Sequence, residues 1–190
     1  MKNRQKSIFI AMFFFLSLTA CAQQTAQRQD GAIRLKIPLD GSLQNAAWSP
    51  DGEQILFTNF TEGYNSEPAN LHIFTLEDES LRTLVADGSG NVNLPGAAWN
   101  MATGSIAFSS SREPHDEIYI ISADGQSGDE YAITQRQNLV AYEATFSPDG
   151  EWIVFESHEL DVEENGIITR YKIDGSEEYE ALTAASDDAR

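Results

Sequence analysis

Outside its first twenty residues the chain shows no helical period, and its apolar residues recur at the two-residue spacing of strands with one buried face. Three stretches, 46–57, 97–108 and 144–155, share one pattern. In each, an aromatic residue is followed seven positions later by isoleucine and nine positions later by phenylalanine. Positions seven and nine share a face only on a strand, so the pattern predicts the same strand arrangement three times. The aromatic residues are Trp48, Trp99 and Phe146.

A Ser-Pro-Asp-Gly motif follows the aromatic residue in the first and third copies. Proline presets a turn, aspartate bonds locally to the backbone, and glycine adopts positive φ, so the motif predicts a hairpin to the next strand. The middle copy, 100–104, keeps only a glycine one position later, which predicts a turn of different geometry. Because that copy lacks the aspartate, we interpret the motif as structural rather than catalytic or metal-binding. Its members are Pro50, Asp51 and Gly52, and Pro148, Asp149 and Gly150.

A third and a fourth strand are predicted after each hairpin, with Asp-Gly turns at 124–125 and 174–175 between them. The resulting four-strand units, 43–85, 95–134 and 142–183, recur every 47 to 51 residues. Sheets of four strands at this period are typical of propeller blades. The predicted fold class is therefore all-β, a β-propeller of four-stranded antiparallel blades with about three blades present and the ring incomplete.

The phrases "WSPDGEQILF", "SREPHDEIYIISADG" and "FSPDGEWIVF" resemble the repeats of TolB-type, WD-repeat-like β-propellers. The resemblance covers residues 32–190. It implies a binding scaffold or a part of the secretion and envelope machinery. It is also compatible with the propeller domain of a peptidase or polysaccharide lyase, since fold does not fix activity.

Both ends of this region bear on ring closure. Residues 32–37 match the spacing of an outer strand from a preceding blade, which in a closed propeller completes the last blade. The sequence ends where a fourth blade is expected to begin, and closed propellers have four to eight blades. Two hypotheses follow: the chain is the N-terminal half of a longer propeller, or two copies close a six-bladed ring together.

The first twenty residues have the layout of a secretory signal, with Lys2, Arg4 and Lys6 before an apolar run at 7–18. The sequence "LTAC" that ends at Cys21 resembles the lipobox of bacterial lipoproteins, which implies that Cys21 is lipidated and that residues 21–31 form a tether. Ala22 follows this cysteine. By the same resemblance, that residue favours the periplasmic face of the outer membrane. The chain contains one cysteine, so it has no internal disulfide.

Negative charge dominates the chain, with 30 Asp and Glu against 12 Lys and Arg. Removal of residues 1–20 takes away three basic residues and no acidic ones, which leaves a net charge of −21. Such a surface repels phosphate backbones, so nucleic acid is excluded as a partner. The expected partners are the membrane, through the lipid, and a protein of the cell envelope.

No nucleophile, phosphate-binding or dinucleotide motif is present, so we predict no catalytic residues and no cofactor. The histidines His72, His115 and His158 occupy different positions in the repeat and are interpreted as separate. Acidic loops around 113–117 and 158–164 leave Ca²⁺ as an alternative. The three repeat aromatics could stack on a sugar, but their phase favours packing within or between blades. The resulting hypothesis is a non-enzymatic envelope scaffold, and the alternative is the propeller part of a lyase or peptidase.

Overall fold

The computed structural model describes residues 28–29, 31–86, 92–93, 98–112, 114–135, 138–160, 162, 166–176 and 178–187. The chain divides into two units, residues 1–36 and residues 37–190. In the first unit, β1 (Arg28–Gln29) pairs with β2 (Ala32–Ile33) in an antiparallel ribbon. Of the proposed closing strand 32–37, only Ala32–Ile33 is a strand, and its partner is β1. A role for 32–37 in ring closure stays a prediction.

The described part of the second unit forms three antiparallel sheets, each a meander of four consecutive strands. This arrangement confirms the predicted all-β class and its four-stranded blades. No strand of one of these described sheets pairs with a strand of another. Sheet 1 contains β3 (Ser42–Trp48), β4 (Gln54–Phe60), β5 (Ala69–Thr75) and β6 (Leu81–Val85). Sheet 2 contains β7 (Val92–Asn93), β8 (Ser105–Ser110), β9 (Glu117–Ser122) and β10 (Tyr131–Ala132). Sheet 3 contains β11 (Leu139–Phe146), β12 (Trp152–Glu159), β13 (Ile167–Lys172) and β14 (Tyr179–Ala181), and a 3-10 turn follows at Ala185–Asp187.

The repeat found in the sequence is a repeat of strand register. Each aromatic residue lies opposite the isoleucine seven positions later, although in sheet 2 the pair is an isolated bridge beyond β7. The same three isoleucines then lie opposite equivalent residues of the third strands. Alternation along each strand therefore sends equivalent side chains to equivalent faces in all three sheets. The matched rows are Trp48–Ile55–Phe74, Trp99–Ile106–Ile121 and Phe146–Ile153–Tyr171.

Two hydrophobic cores lie between successive sheets. In the first, Leu56 and Ile73 of sheet 1 pack with Phe108 and Ile121 of sheet 2. In the second, residues on the opposite face of sheet 2, such as Ile120, pack with sheet 3. A four-stranded sheet by itself cannot cover its own faces, so the blades depend on their neighbours for stability.

Hydrogen bonds between sheets reinforce this packing. Arg82 of β6 donates through Nη1 to the carbonyl of Gly125 at 2.9 Å and through Nη2 to that of Ala123. Tyr179 of β14 donates its hydroxyl to the carbonyl of Ile133 at 2.7 Å. Both contacts join the outer part of one blade to the next.

Bulges interrupt the first strands of sheets 1 and 3 at the same place in the repeat. The register shifts between Gln44 and Ala47, and again between Tyr142 and Thr145. Inside each bulge one residue adopts positive φ, Asn45 at 55° and Glu143 at 56°. An extra residue of this kind bends a strand and re-aims the side chains that follow it. Those side chains include the repeat aromatics.

Candidate functional site

Two Ser-Pro-Asp-Gly turns have the same hydrogen-bond network. Ser49 Oγ donates to Asp51 Oδ1 at 2.6 Å and accepts the backbone N–H of Gln54 at 2.9 Å. Ser147 does the same with Asp149 at 2.5 Å and with the N–H of Trp152 at 3.0 Å. Gly52 and Gly150 occupy the left-handed region at φ of 75° and 76°. The side chains of the motif are thus engaged within their own turns.

The middle turn reaches a related geometry through Asn100. Its backbone N–H donates to the carbonyl of Ser105 at 2.7 Å, as that of Ser49 does to the carbonyl of Gln54 at 3.0 Å. Its Oδ1 accepts the N–H groups of Ala102 at 2.8 Å and Thr103 at 3.2 Å. Asn100 Nδ2 also donates across the sheet boundary to the carbonyl of Gly150 at 3.3 Å.

Sequence reasoning missed the role of Asn100 as a link between blades. Its side chain is buried at 2% exposure, which is unusual for an asparagine in a turn. The available signal was its position, because it follows Trp99 as Ser49 follows Trp48 and Ser147 follows Phe146. An amide at that position can bond its own turn and a neighbour at once, which a serine hydroxyl is too short to do.

The ends of β3 and β11, the Trp99 segment of sheet 2 and the adjoining turns enclose a shallow pocket, which we name the turn-end pocket. Its volume is about 310 Å³. All three repeat aromatics line it, together with the side chain of Met101. Small or polar residues complete the wall: Ala47, Thr145, Ser147 and Pro148.

The interpretation of the repeat aromatics as blade packing stays a prediction for Trp48, whose surroundings differ from those of the other two rings. Its side chain is 61% exposed, whereas Trp99 is 6% exposed and Phe146 is half-buried against the second core. Trp99 packs in the core between sheets 1 and 2, whereas Trp48 lines the pocket with most of its side chain exposed. Met101, 62% exposed, adds apolar surface beside it. Large exposed apolar groups on a rigid scaffold are typical of binding sites.

The surroundings of the turn-end pocket are acidic. Asp51 and Asp149 are exposed, and in each the bond from the preceding serine hydroxyl, followed by a backbone N–H, lowers the pKa of the carboxyl. Both are therefore ionised at neutral pH. The segments that form the pocket, 46–54, 98–105 and 143–151, contain five carboxylates and no Lys, Arg or His.

The three histidines occupy different surroundings. His72 is buried and stacks on Phe57 at 5.7 Å, and desolvation lowers the pKa of its imidazole. His115 lies 3.1 Å from Glu117, and His158 packs edge-on against the Tyr142 ring at 5.6 Å. Among the described residues, no three His, Cys, Asp or Glu side chains are grouped so that they could hold a metal ion.

Acidic groups from different sheets do approach one another near the histidine loops. Burial raises the pKa of the Asp116 carboxyl, and the charge of Glu67 in the preceding sheet raises it further. The positive charges that His115 and His158 can carry act in the opposite direction. The sequence separated Glu67 and Asp116 by 49 positions, and only the packing of sheets 1 and 2 brings them together. Calcium binding stays an untested alternative.

The proposed signal segment 1–20 and the proposed lipidation site Cys21 lie outside the described residues. Within the described ranges, no helix has both the length and the apolar character needed to cross a bilayer.

The equivalent four-stranded sheets place the chain in the β-propeller class. No protein-family model matches it. Over 115 residues it is 29% identical to the Tol-Pal system protein TolB of Francisella tularensis, an alignment that covers 60% of this chain and 25% of that protein. The chain therefore spans about a quarter of this curated relative.

Solved structures show the same fold. The TolB-type protein of Agrobacterium tumefaciens matches with a TM-score of 0.62 and 20% identity, covering 76% of this chain and 50% of that one. TolB from Acinetobacter baumannii matches with a TM-score of 0.56 and 19% identity, covering 77% and 33%. A prolyl endopeptidase matches with a TM-score of 0.55 and 13% identity, covering 75% and 22%. These comparisons confirm the predicted β-propeller fold and its similarity to TolB proteins.

Proposed function

We propose that this chain is a lipid-anchored β-propeller of the cell envelope, which acts as a non-enzymatic scaffold and contacts a protein partner at the turn-end pocket. The observation that supports this best is the convergence of equivalent aromatic positions from three sheets on one pocket. Trp48 and Met101 place apolar surface in solvent there, while the hydrogen-bonded turns hold the wall rigid. Exposed aromatic anchors held on a rigid scaffold are typical of interaction sites.

The envelope location is supported by the sequence and by one relative. The signal-like segment 1–20 and the lipobox resemblance at Cys21 favour export, followed by attachment to the periplasmic face of the outer membrane. The curated relative is described as a Tol-Pal system protein. By analogy, we propose an envelope protein as the partner.

An enzymatic role is the alternative. The likeness to a prolyl endopeptidase concerns the propeller fold, and 13% identity transfers no chemistry. At the turn-end pocket, Ser147 bonds Asp149 rather than a histidine, so its surroundings do not have the nucleophile–base arrangement of a hydrolase. We therefore favour binding over catalysis at this site.

Completion of the ring belongs to the same proposal. One face of sheet 1 packs on sheet 2, and one face of sheet 2 packs on sheet 3. The corresponding face of sheet 3 bears Arg170 and Trp152, which are both half-buried. The Arg170 guanidinium lies 4.3 Å from the centre of the Trp152 ring. We propose that further blades, or a second copy of the chain, cover this face. Mass measurement of the purified protein distinguishes a monomer from a dimer.

Site-specific photocrosslinking in the native envelope tests the binding role. A photoreactive amino acid at Met101 is expected to crosslink one protein, and substitution of Trp48 by alanine is expected to abolish the product. Tyr64, which is 77% exposed and lies outside the pocket, provides the matched control, and Tyr64→Ala should leave the product unchanged. A product that persists in Trp48→Ala would contradict the role of the pocket.

Anchoring has a separate test. Cys21→Ser is expected to abolish labelling with a radioactive fatty acid and to release the protein from the membrane fraction. Labelling that persists in the variant would show that Cys21 is not the attachment site.

A further inference from the structure

The wall of the turn-end pocket presents aromatic ring surface. Trp48, Trp99 and Phe146 come from three different sheets and line one volume of about 310 Å³. Nε1 of Trp99 is shielded from solvent and has no hydrogen-bond partner among the described residues. Ring carbons, rather than this N–H group, are therefore what Trp99 offers to the pocket. The face of an aromatic ring carries negative electrostatic potential, which attracts cations.

The segments that form the pocket carry negative charge only. The five carboxylates of the pocket-forming segments are Asp51, Glu53, Glu143, Asp149 and Glu151. Those segments contain no basic residue, and Lys172 of β13 is the basic group whose charge interacts with Glu151. Serine and backbone donors keep the pKa of Asp51 and of Asp149 below its usual value, so these two charges persist under mildly acidic conditions. A neutral apolar ligand would gain nothing from this field, whereas a cation would be attracted both by the field and by the rings.

The size of the pocket limits its occupant. A volume of about 310 Å³ lies at the lower end of the range for ligand sites, so it suits one side chain better than an extended ligand. Long basic side chains combine an apolar stem with a charged head. The stem could pack against Met101 and Pro148, and the head could lie over the indole of Trp48.

We propose that the turn-end pocket is an aromatic cage that receives an arginine or lysine side chain from the protein partner. This inference rests on the proposed function in one respect only, that a protein supplies the cation. Trp48 is the principal determinant, because it is the most exposed of the three rings.

Titration of the purified full chain with small probes tests the proposal. The probes are N-acetyl-arginine amide, choline, and 3,3-dimethyl-1-butanol, the uncharged carbon isostere of choline. Both cations are expected to bind at least about fivefold more tightly than the isostere, which corresponds to the usual strength of a cation–π contact. Affinity for the cations should fall as salt concentration rises.

Two substitutions of Trp48 distinguish the contribution of its aromatic ring from the contribution of its apolar surface. Trp48→Phe should keep the preference for cations, while Trp48→Leu, which retains apolar surface without a ring, should abolish it. The exposure of Trp48 makes both variants compatible with folding, and Tyr64→Ala serves as the control.

The results that would overturn the proposal are equal binding of choline and its isostere, undiminished cation preference in Trp48→Leu, or binding of no probe. Binding of choline without N-acetyl-arginine amide would refute a basic protein side chain as the occupant. None of these results affects the crosslinking experiment. A Trp48-dependent crosslink with no cation preference would leave the scaffold role intact and refute only the cage.

Discussion

Two glycines in equivalent turns should respond very differently to the same substitution. Gly52 and Gly150 both follow Pro-Asp and have φ of 75° and 76°. Alanine in this left-handed region costs about 1–2 kcal/mol at either position. A Cβ at Gly52 would meet no atom within 4 Å, whereas a Cβ at Gly150 would lie 2.6 Å from Oδ1 and 2.7 Å from Nδ2 of Asn100.

The difference between the two sites comes from the link between blades. Asn100 is almost completely buried and makes three side-chain hydrogen bonds, to Ala102, Thr103 and Gly150. Displacing its amide would weaken these bonds, each of which contributes about 1 kcal/mol. We therefore expect Gly52→Ala to reduce the free energy of unfolding by about 1–2 kcal/mol and Gly150→Ala by about 3–5 kcal/mol.

Urea denaturation of both variants, followed by circular dichroism, measures this difference through the transition midpoints and slopes. A double-mutant cycle with Asn100→Ala then tests the mechanism, because removal of the Asn100 side chain should make Gly150→Ala no more costly than Gly52→Ala. Equal costs for the two glycine variants in the otherwise unchanged protein would refute the proposed contact between Gly150 and Asn100.

Four further outcomes are expected. Glu143→Gly should raise the free energy of unfolding by about 1 kcal/mol, because glutamate at φ of 56° is strained and glycine is not. Asn45→Gly should raise it less, since asparagine tolerates this region. Equal increases for the two variants in urea denaturation would contradict this reasoning. Because the folded-state pKa of His72 lies below its ordinary value of 6.5, the unfolded chain binds more protons there, so stability should fall as pH decreases below 6.5. His72→Phe should reduce that slope, and an unchanged slope would show that another group causes it. Millimolar calcium should leave the melting temperature unchanged, and a clear increase would reveal an ion site. Light scattering should give either a monomer or a dimer, and a stable dimer would favour two copies closing one ring.

Local sequence rules were sufficient for the strands and for their repetition in three sheets. The seven-residue spacing from each aromatic to isoleucine predicted the same strand arrangement three times, and the structure pairs these residues in each sheet, as Trp48 with Ile55 and Phe146 with Ile153. Alternation of side chains and the chemistry of the Ser-Pro-Asp-Gly turn depend on residues within a dozen positions. Strands and turns can therefore be predicted without knowing which sheets pack against each other.

The pocket and its asymmetry depend on how the sheets pack. Trp48 and Trp99 occupy the same position in the repeat, yet Trp48 is 61% exposed and Trp99 is 6% exposed. The difference arises because Trp99 packs in the core between sheets 1 and 2. The contact of Asn100 with Gly150, 50 residues apart, has no local signature. The sequence alone thus determined the repeating strands, turns and acidic charge, since these follow from nearby residues. Tertiary packing alone decided which aromatic ring reaches solvent and which polar groups meet between blades, because burial is set by residues distant along the chain.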